Sequence, residues 1–469
     1  MLPASFNGGA ESGELALARF AADLGMDRIG TGAIDAFDRL VLDFVSVVIA
    51  GLGDPACARA ADAFGGLSHP RSSAPALAFA LGTCAHWFDW DDTDDDSHVH
   101  GGAVIFPALL AVWSSGLLSP KLREPREFVA AVVAAYDIAC RIGGHLRSHG
   151  HRGWMPTGSG GALGAAAAGA RLAGGGSKEI LSAMGMTAVN AGISRQALAD
   201  QANSKGVLAG IAAKCAVESV MLTRRGIDGP PRFLDGPYGL SALQAGGNVA
   251  GPEIAAGLGR PFRIERVSMK PYPCCRSAHA VIDAVLEYRA SAPALAAQVE
   301  SLHVTAPRGV FERCGAPFRM GDNPRLSAQF SIPFTAALAL RNGRITLEDF
   351  SEKRVREHAS GMRSLIESIE VVAMQQSMED VLAPVQVTFI GRGGAMEDRE
   401  VRVLKGGPSA PLNAHEQADK LHIAAGGILS KDEISQAEVA IRNLRNAGPG
   451  GLIAWLATVA GTRTCPGSA

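Results

Sequence analysis

Between residues 35 and 50, Phe37, Leu40, Val41, Phe44, Val47 and Val48 recur at i, i+3, i+4, i+7, i+10 and i+11. That period predicts an amphipathic helix with one face on a core. Ala-rich patterns predict further helices over 106–117, 125–142, 160–173, 177–191 and 209–225, so the first half reads as mostly helical. One more helix is predicted over 76–88. Continued at about 100° per residue, it brings His86, Asp89 and Thr93 onto one stripe, a base, an acid and a hydroxyl facing one cleft. Residues 160–176 are so rich in Gly and Ala that neighbouring helices can approach closely there. Glycine inside a helix costs up to about 1 kcal/mol relative to alanine, so some of these glycines mark breaks or caps. The run 158–164 lacks the Lys-Ser/Thr ending of a phosphate loop.

Past Pro261 the texture changes. Apolar and polar residues alternate over 298–305, 384–390 and 400–404, which predicts strands, with helices over 278–290, 331–340 and 347–356 among them. This region reads as a smaller α+β domain. After Pro411 the helical pattern returns over 414–428, 430–444 and 449–459.

Composition narrows the picture. A chain of 469 residues exceeds one hydrophobic core, and 47% apolar content fills two. The 44 Lys and Arg against 46 Asp and Glu argue against nucleic acid or an anionic membrane as partner. Residues 1–10 lack the basic and apolar regions of a secretory signal, and the apolar run at 41–52 is interrupted by Asp43 and too short for a bilayer. The expectation is a soluble, cytoplasmic protein. Eight cysteines (57, 84, 140, 215, 274, 275, 314 and 465) show no zinc spacing and are expected to stay reduced.

Reactive groups concentrate in two places. The segment 86–102 sets His86, Asp89, Asp91–Asp96, His98 and His100 between apolar stretches. An acidic run is ordinarily a solvated turn, but Trp87, Phe88 and Trp90 stand directly before this one. The second is Lys270-Pro271-Tyr272-Pro273-Cys274-Cys275-Arg276-Ser277-Ala278-His279, where the prolines disfavour helix and predict an extended loop delivering Lys270 and Arg276. Lys205 follows Gln201-Ala202-Asn203-Ser204. The plainer readings are a solvated surface charge for a lone lysine, a cap or packing role for His279, and small buried hydrophobes for Cys274 and Cys275.

Asp89-Trp90-Asp91-Asp92-Thr93 with His100 and Pro107, the 270–279 segment, Ala328-Gln329-Phe330-Ser331-Ile332-Pro333-Phe334 and Gly153-Trp154-Met155-Pro156-Thr157-Gly158 resemble four signatures of the MmgE/PrpD family. They span residues 89–334. The resemblance implies a mainly α fold: an all-helical main domain over 1–264, a smaller α+β lid over 265–411, and C-terminal helices over 412–469 returning to the main domain. It also implies a homodimer and proton chemistry beside a carboxylate, without metal or cofactor, as in 2-methylcitrate dehydratase, cis-aconitate decarboxylase and iminodisuccinate epimerase. The partner would be a small carboxylic acid. By motif position Asp89, Thr93, His100, Lys205 and Lys270 are expected to be catalytic, and Met155, Cys274, Cys275, Arg276, His279 and Phe334 to bind substrate. Lysines can hold carboxylates, and an imidazole can carry a proton near neutrality.

The chain departs from the decarboxylase pattern at Met155, Cys275 and Phe334, where that enzyme places two histidines and a tyrosine. These departures argue against cis-aconitate decarboxylation and leave dehydration or epimerisation open. Asp91-Asp92-Thr93-Asp94-Asp95 also fits the magnesium-diphosphate motif of helical terpene synthases, but 6% aromatic content is poor for a carbocation pocket and no second magnesium motif follows. A calcium loop from Asp89 fails on Asp94, which stands at the turn-glycine position. His98-Val99-His100 alone is weak evidence for zinc. A catalytically inactive binding protein is the remaining alternative, and it is separated from an enzyme by whether Asp89, His100, Lys205 and Lys270 converge on one closed pocket.

Overall fold

The computed structural model describes residues 11–65, 73–149, 153–375 and 381–461. Apolar side chains gather into two separate clusters. The larger runs from Leu17 to Val267 and takes in Leu421, Leu444, Leu452 and Trp455 from the C-terminal helices; the smaller runs from Tyr272 to Leu404. The fold is mainly α.

In the larger unit the periodic segments form long helices, Thr31–Leu52, Pro125–Ser148, Ser177–Asn190 and Leu208–Thr223. A helix over Gly13–Asp23 lies outside the sequence expectations. The Gly/Ala-rich stretch splits into a π-helical turn, Thr157–Gly161, and the helix Ala162–Leu172. Its glycines serve close approach: a Cβ on Gly160 would stand 2.5 Å from Ala139 O, and one on Gly164 2.4 Å from Ala135 O. Pro125–Ser148 and Asn203–Thr223 are long and apolar enough to cross a membrane, a property the reading of 41–52 overlooked; 83% and 56% of their most apolar 18 residues are buried inside the protein.

The smaller unit carries a four-stranded sheet, with β3 (Val299–Ala306), β4 (Ile369–Ala373), β5 (Val385–Gly391) and β6 (Met396–Val401) in the order β4-β3-β5-β6. β3 runs parallel to β4 and antiparallel to β5, and β5 antiparallel to β6. Val385, Val387 and Phe389 of β5 and Leu302 and Val304 of β3 bury one face against the helices His279–Ser291 and Ile332–Asn342. The strand expected at 400–404 lies instead at Met396–Val401, an edge whose only buried side chain is Val401. Its charged residues hide the alternation on which the expectation relied.

Two short strands tie the units together. β1 (Thr93–Asp94) pairs antiparallel with β2 (Val267–Ser268), Thr93 opposite Ser268. This bridge sets the 86–102 loop beside the 270–279 loop.

Candidate active site

The helix Ala74–His86 begins at Ser73, whose hydroxyl accepts the Ala76 N–H at 3.4 Å, and crosses Leu208–Thr223 at two glycines. A Cβ on Gly210 would meet Phe79 O and Thr83 Oγ1 at 2.4 Å, and one on Gly82 would lie 2.8 Å from the Gly210 Cα. Backbone-to-backbone contact here fixes the end of the first helix against Lys205, which sits on the 3-10 turn Asn203–Val207. The expected continuation to Thr93 does not form. Asp89 takes φ +54°, its N–H closing on His86 O at 3.2 Å, and a left-handed residue there reverses the chain. The stripe of His86, Asp89 and Thr93 is replaced by a loop.

Asp89 is the hub of that loop. Its Oδ1 accepts Lys205 Nζ, and its Oδ2 accepts Lys270 Nζ at 3.0 Å; Lys270 also donates to Asp89 O at 2.6 Å. Lys205 is 1% exposed and Lys270 is fully buried. Burial opposes ionisation of Asp89, yet the two ammonium groups outweigh it and hold the carboxyl well below its usual range. Burial likewise opposes the Lys270 charge, and Asp89 reverses that, raising the lysine above its ordinary value.

A second cluster stands beside the first. Asp91 Oδ2 lies 2.8 Å from His86 Nδ1 and 3.2 Å from His100 Nδ1, the latter off the line of an ideal hydrogen bond. The two rings meet edge-on with centroids 4.9 Å apart, and the His100 N–H donates to Thr157 Oγ1 at 3.1 Å. Burial lowers His86 to about 4, so it is neutral near pH 7, whereas the imidazoles keep Asp91 ionised against its burial. The carboxylate hydrogen-bonded to His86 Nδ1 favours the proton on that nitrogen, and His100 borders the cavity.

The cavity, about 100 Å³, is bordered by Asp89, Thr93, His100, Lys205 and Lys270, with Met155, Cys275, Arg276 and Phe330 among the other walls. Six cationic side chains, Arg147, Arg195, Lys205, Lys270, Arg276 and Arg313, border it against one carboxylate, Asp89. A neighbouring hollow of about 610 Å³ shares Arg195, Leu198, Arg313 and Phe330 with it and also carries Arg319. A third hollow, about 620 Å³, is lined by Trp87, Phe88 and Asn203 among others and shares no wall with the cavity.

Three expected substrate contacts are corrected. Cys274 is fully buried and borders no part of the cavity. His279 Nε2 lies 3.2 Å from Cys274 O, and its Nδ1 lies 3.3 Å from Arg276 Nη1; burial and that guanidinium push it well below its usual value. Phe334 is enclosed in the smaller core against Phe318, so the lack of a hydroxyl there removes nothing from the cavity. Arg276 does reach the wall, but its guanidinium is engaged by Asp95 at 3.0 Å and Lys405 O at 2.7 Å.

Sequence reasoning also missed partners. Most of the acidic run is buried rather than solvated: Asp92 accepts from Tyr136 at 2.7 Å and from the Gly102 N–H at 2.8 Å, and Asp94 from the Ser97 N–H at 3.0 Å, whereas Asp96 is exposed and pairs with Arg266. These acids therefore do not converge as a diphosphate–magnesium motif requires. Lys420, from the helix Ala414–Ala425, is buried on Asp43 and donates to Trp90 O at 2.8 Å and Lys270 O at 3.1 Å, pinning both site loops. Gln329 binds Phe88 O at 2.6 Å and Pro273 O at 2.8 Å. Among the described residues His86, Asp91 and His100 form a group whose donor atoms lie within 4.8 Å of one another, the spacing a metal would need. The seven described cysteines are free thiols, and Cys465, like residues 1–10, lies outside the described residues.

Fold and cavity define a helical protein with a cation-rich site where a larger and a smaller unit meet. Residues 15–253 match the MmgE/PrpD N-terminal domain and residues 272–446 the MmgE/PrpD C-terminal domain; the chain belongs to the MmgE/PrpD family. It is similar to human cis-aconitate decarboxylase, 24% identical over 383 residues, 79% of this chain and 76% of that protein. It is also similar to the cis-aconitate decarboxylase-like protein oryM of Aspergillus oryzae, 23% identical over 392 residues, 79% of this chain and 80% of that one.

Proposed function

We propose that the protein is a lyase of dehydratase type that removes the proton α to a carboxylate of a small polycarboxylic acid. The observation that carries this reading is the cavity wall itself, six cations against one acid, beside an imidazole whose Nδ1 stands 3.2 Å from a carboxylate. Lys205 and Lys270 bind substrate carboxylates and stabilise the enediolate that forms when the α-proton leaves. His100 takes that proton on Nε2, and Asp91 steadies the resulting imidazolium. Thr93 donates a hydrogen bond, and the cationic mouth draws the polyanion inward.

Incubation with citrate, 2-methylcitrate or malate in deuterium oxide tests it by NMR. Deuterium at the α-carbon with alkene formation is the expected result, and His100→Ala and Lys270→Ala should each abolish turnover with far-UV circular dichroism unchanged. Inversion at that carbon without alkene would reassign the protein as an epimerase. Absence of exchange from all three acids, or full activity in either variant, would reject the mechanism.

A further inference from the structure

Two thiols at the cavity lie outside the lysine and histidine machinery. Cys275 borders the cavity, and the thiol that acts on it most strongly is Cys314, on the π-helical turn Phe311–Gly315. The Cys275 backbone is fixed, its N–H donating to Gln329 O at 3.0 Å. Cys275 and Cys314 both pack into the core of the smaller unit, whereas His100 comes from a loop of the larger one. The charged or titratable groups around Cys275 are Lys270 and Arg313, which favour a thiolate, Asp89, which opposes it, and the thiols of Cys274 and Cys314.

We propose that Cys275 is a second catalytic acid–base group, giving a proton to substrate from the smaller unit while His100 takes one from the larger. The inference rests on the lyase reading above. The step starts from the lone pair on His100 Nε2 and the proton on Cys275 Sγ. The C–H bond breaks toward His100 Nε2 and its electron pair becomes the C=C bond. The C–O bond breaks with its pair on oxygen, which takes the Cys275 proton and leaves as water. Imidazolium and thiolate remain, and proton exchange with solvent restores imidazole and thiol. Cys314, acting against burial, brings the Cys275 thiol down to about 6, so the thiol holds a transferable proton below that pH, while Cys314 itself is raised. A group poised near working pH gives and regains a proton readily.

The test uses full-length protein and whichever of citrate, 2-methylcitrate or malate the wild type dehydrates. Cys275→Ala should keep α-deuterium exchange within a few-fold while alkene formation falls about 100-fold or more. Cys314→Ala, which removes the thiol that lowers Cys275, should move the alkaline limb of the kcat profile to higher pH. Undiminished turnover in Cys275→Ala, parallel loss of exchange and turnover in a folded Cys275→Ala, or an unmoved limb in Cys314→Ala overturns the role. If Cys275→Ala does not fold, the Cys314→Ala limb decides. Wild-type protein that exchanges no proton from any of the three acids rejects the lyase reading first, and the Cys275 role with it.

Discussion

Replacing Asp89 with Asn would expose how much the fold depends on the charge at the hub of the site. Asp89 holds Lys205 on one oxygen and Lys270 on the other, and neither ammonium is more than 1% exposed. Asn supplies one carbonyl oxygen and turns an NH₂ toward the second lysine, so both cations lose their counter-charge and one loses its acceptor. Breaking a buried pair in this way costs about 3–5 kcal/mol, against a typical total stability of roughly 5–15 kcal/mol. The pH dependence has a definite sign. In the wild type the depressed Asp89 contributes stability that is present above the unfolded aspartate value and lost as pH falls through the folded one. The raised Lys270 contributes stability that is present below the unfolded lysine value and lost as pH rises through the folded one. In the variant burial acts on Lys270 without Asp89, so its folded value drops below the unfolded one. The unfolded chain then binds more protons than the native one, and the variant gains stability relative to wild type as pH rises toward about 10. Urea denaturation followed by circular dichroism at about pH 7 and about pH 9.5 measures both effects. A loss under about 1 kcal/mol at neutral pH, or a gap that does not narrow in alkali, would refute the assignment of Asp89 as counter-ion to two buried cations.

Asp91→Asn should lower kcat by roughly 100-fold or more with little change in KM, because the anion facing the His100 Nδ1 is gone; steady-state kinetics on the dehydrated acid check this. Gly210→Ala pushes a methyl group against Phe79 O and Thr83 Oγ1 at the helix crossing and should cost about 1–3 kcal/mol, seen as a lower midpoint in thermal unfolding. Lys420→Met strands buried Asp43 and two carbonyls and should cost about 3 kcal/mol in urea titrations; adding Asp43→Leu should restore part of that loss, and a double variant no better than the single would contradict a pairwise role.

The long helices were legible because their large apolar residues recur at helical spacing, as in Thr31–Leu52, even where the helix is buried on every side, and β3 and β5 because their alternate residues enter a core. β4, five residues long, offers only a short pattern, and β6 masks its own with charge. At the site, the loops carrying Asp89, His100, Lys205 and Lys270 could be found from reactive residues set among apolar ones. What they face could not. The pairing of His86 with Asp91 depends on the reversal at Asp89, and local periodicity cannot anticipate a single left-handed residue. Neighbours in an extended loop point to opposite sides, so Cys275 reaches the cavity while Cys274 does not. Lys420 lies 377 residues from Asp43, and no nearby pattern marks it as a partner.

The reach of Lys420 orders events during synthesis. Asp43, Trp90 and Lys270 leave the ribosome long before residue 420, so the growing chain can collapse around its helices while the socket for this ammonium stands unfilled. A nascent chain stopped ahead of Ala414–Ala425 would be rich in helix yet hold its lysine and aspartate loops without the clasp that sets them. Competence for chemistry is thereby deferred to the closing stage of translation, when the last helices dock on the larger core.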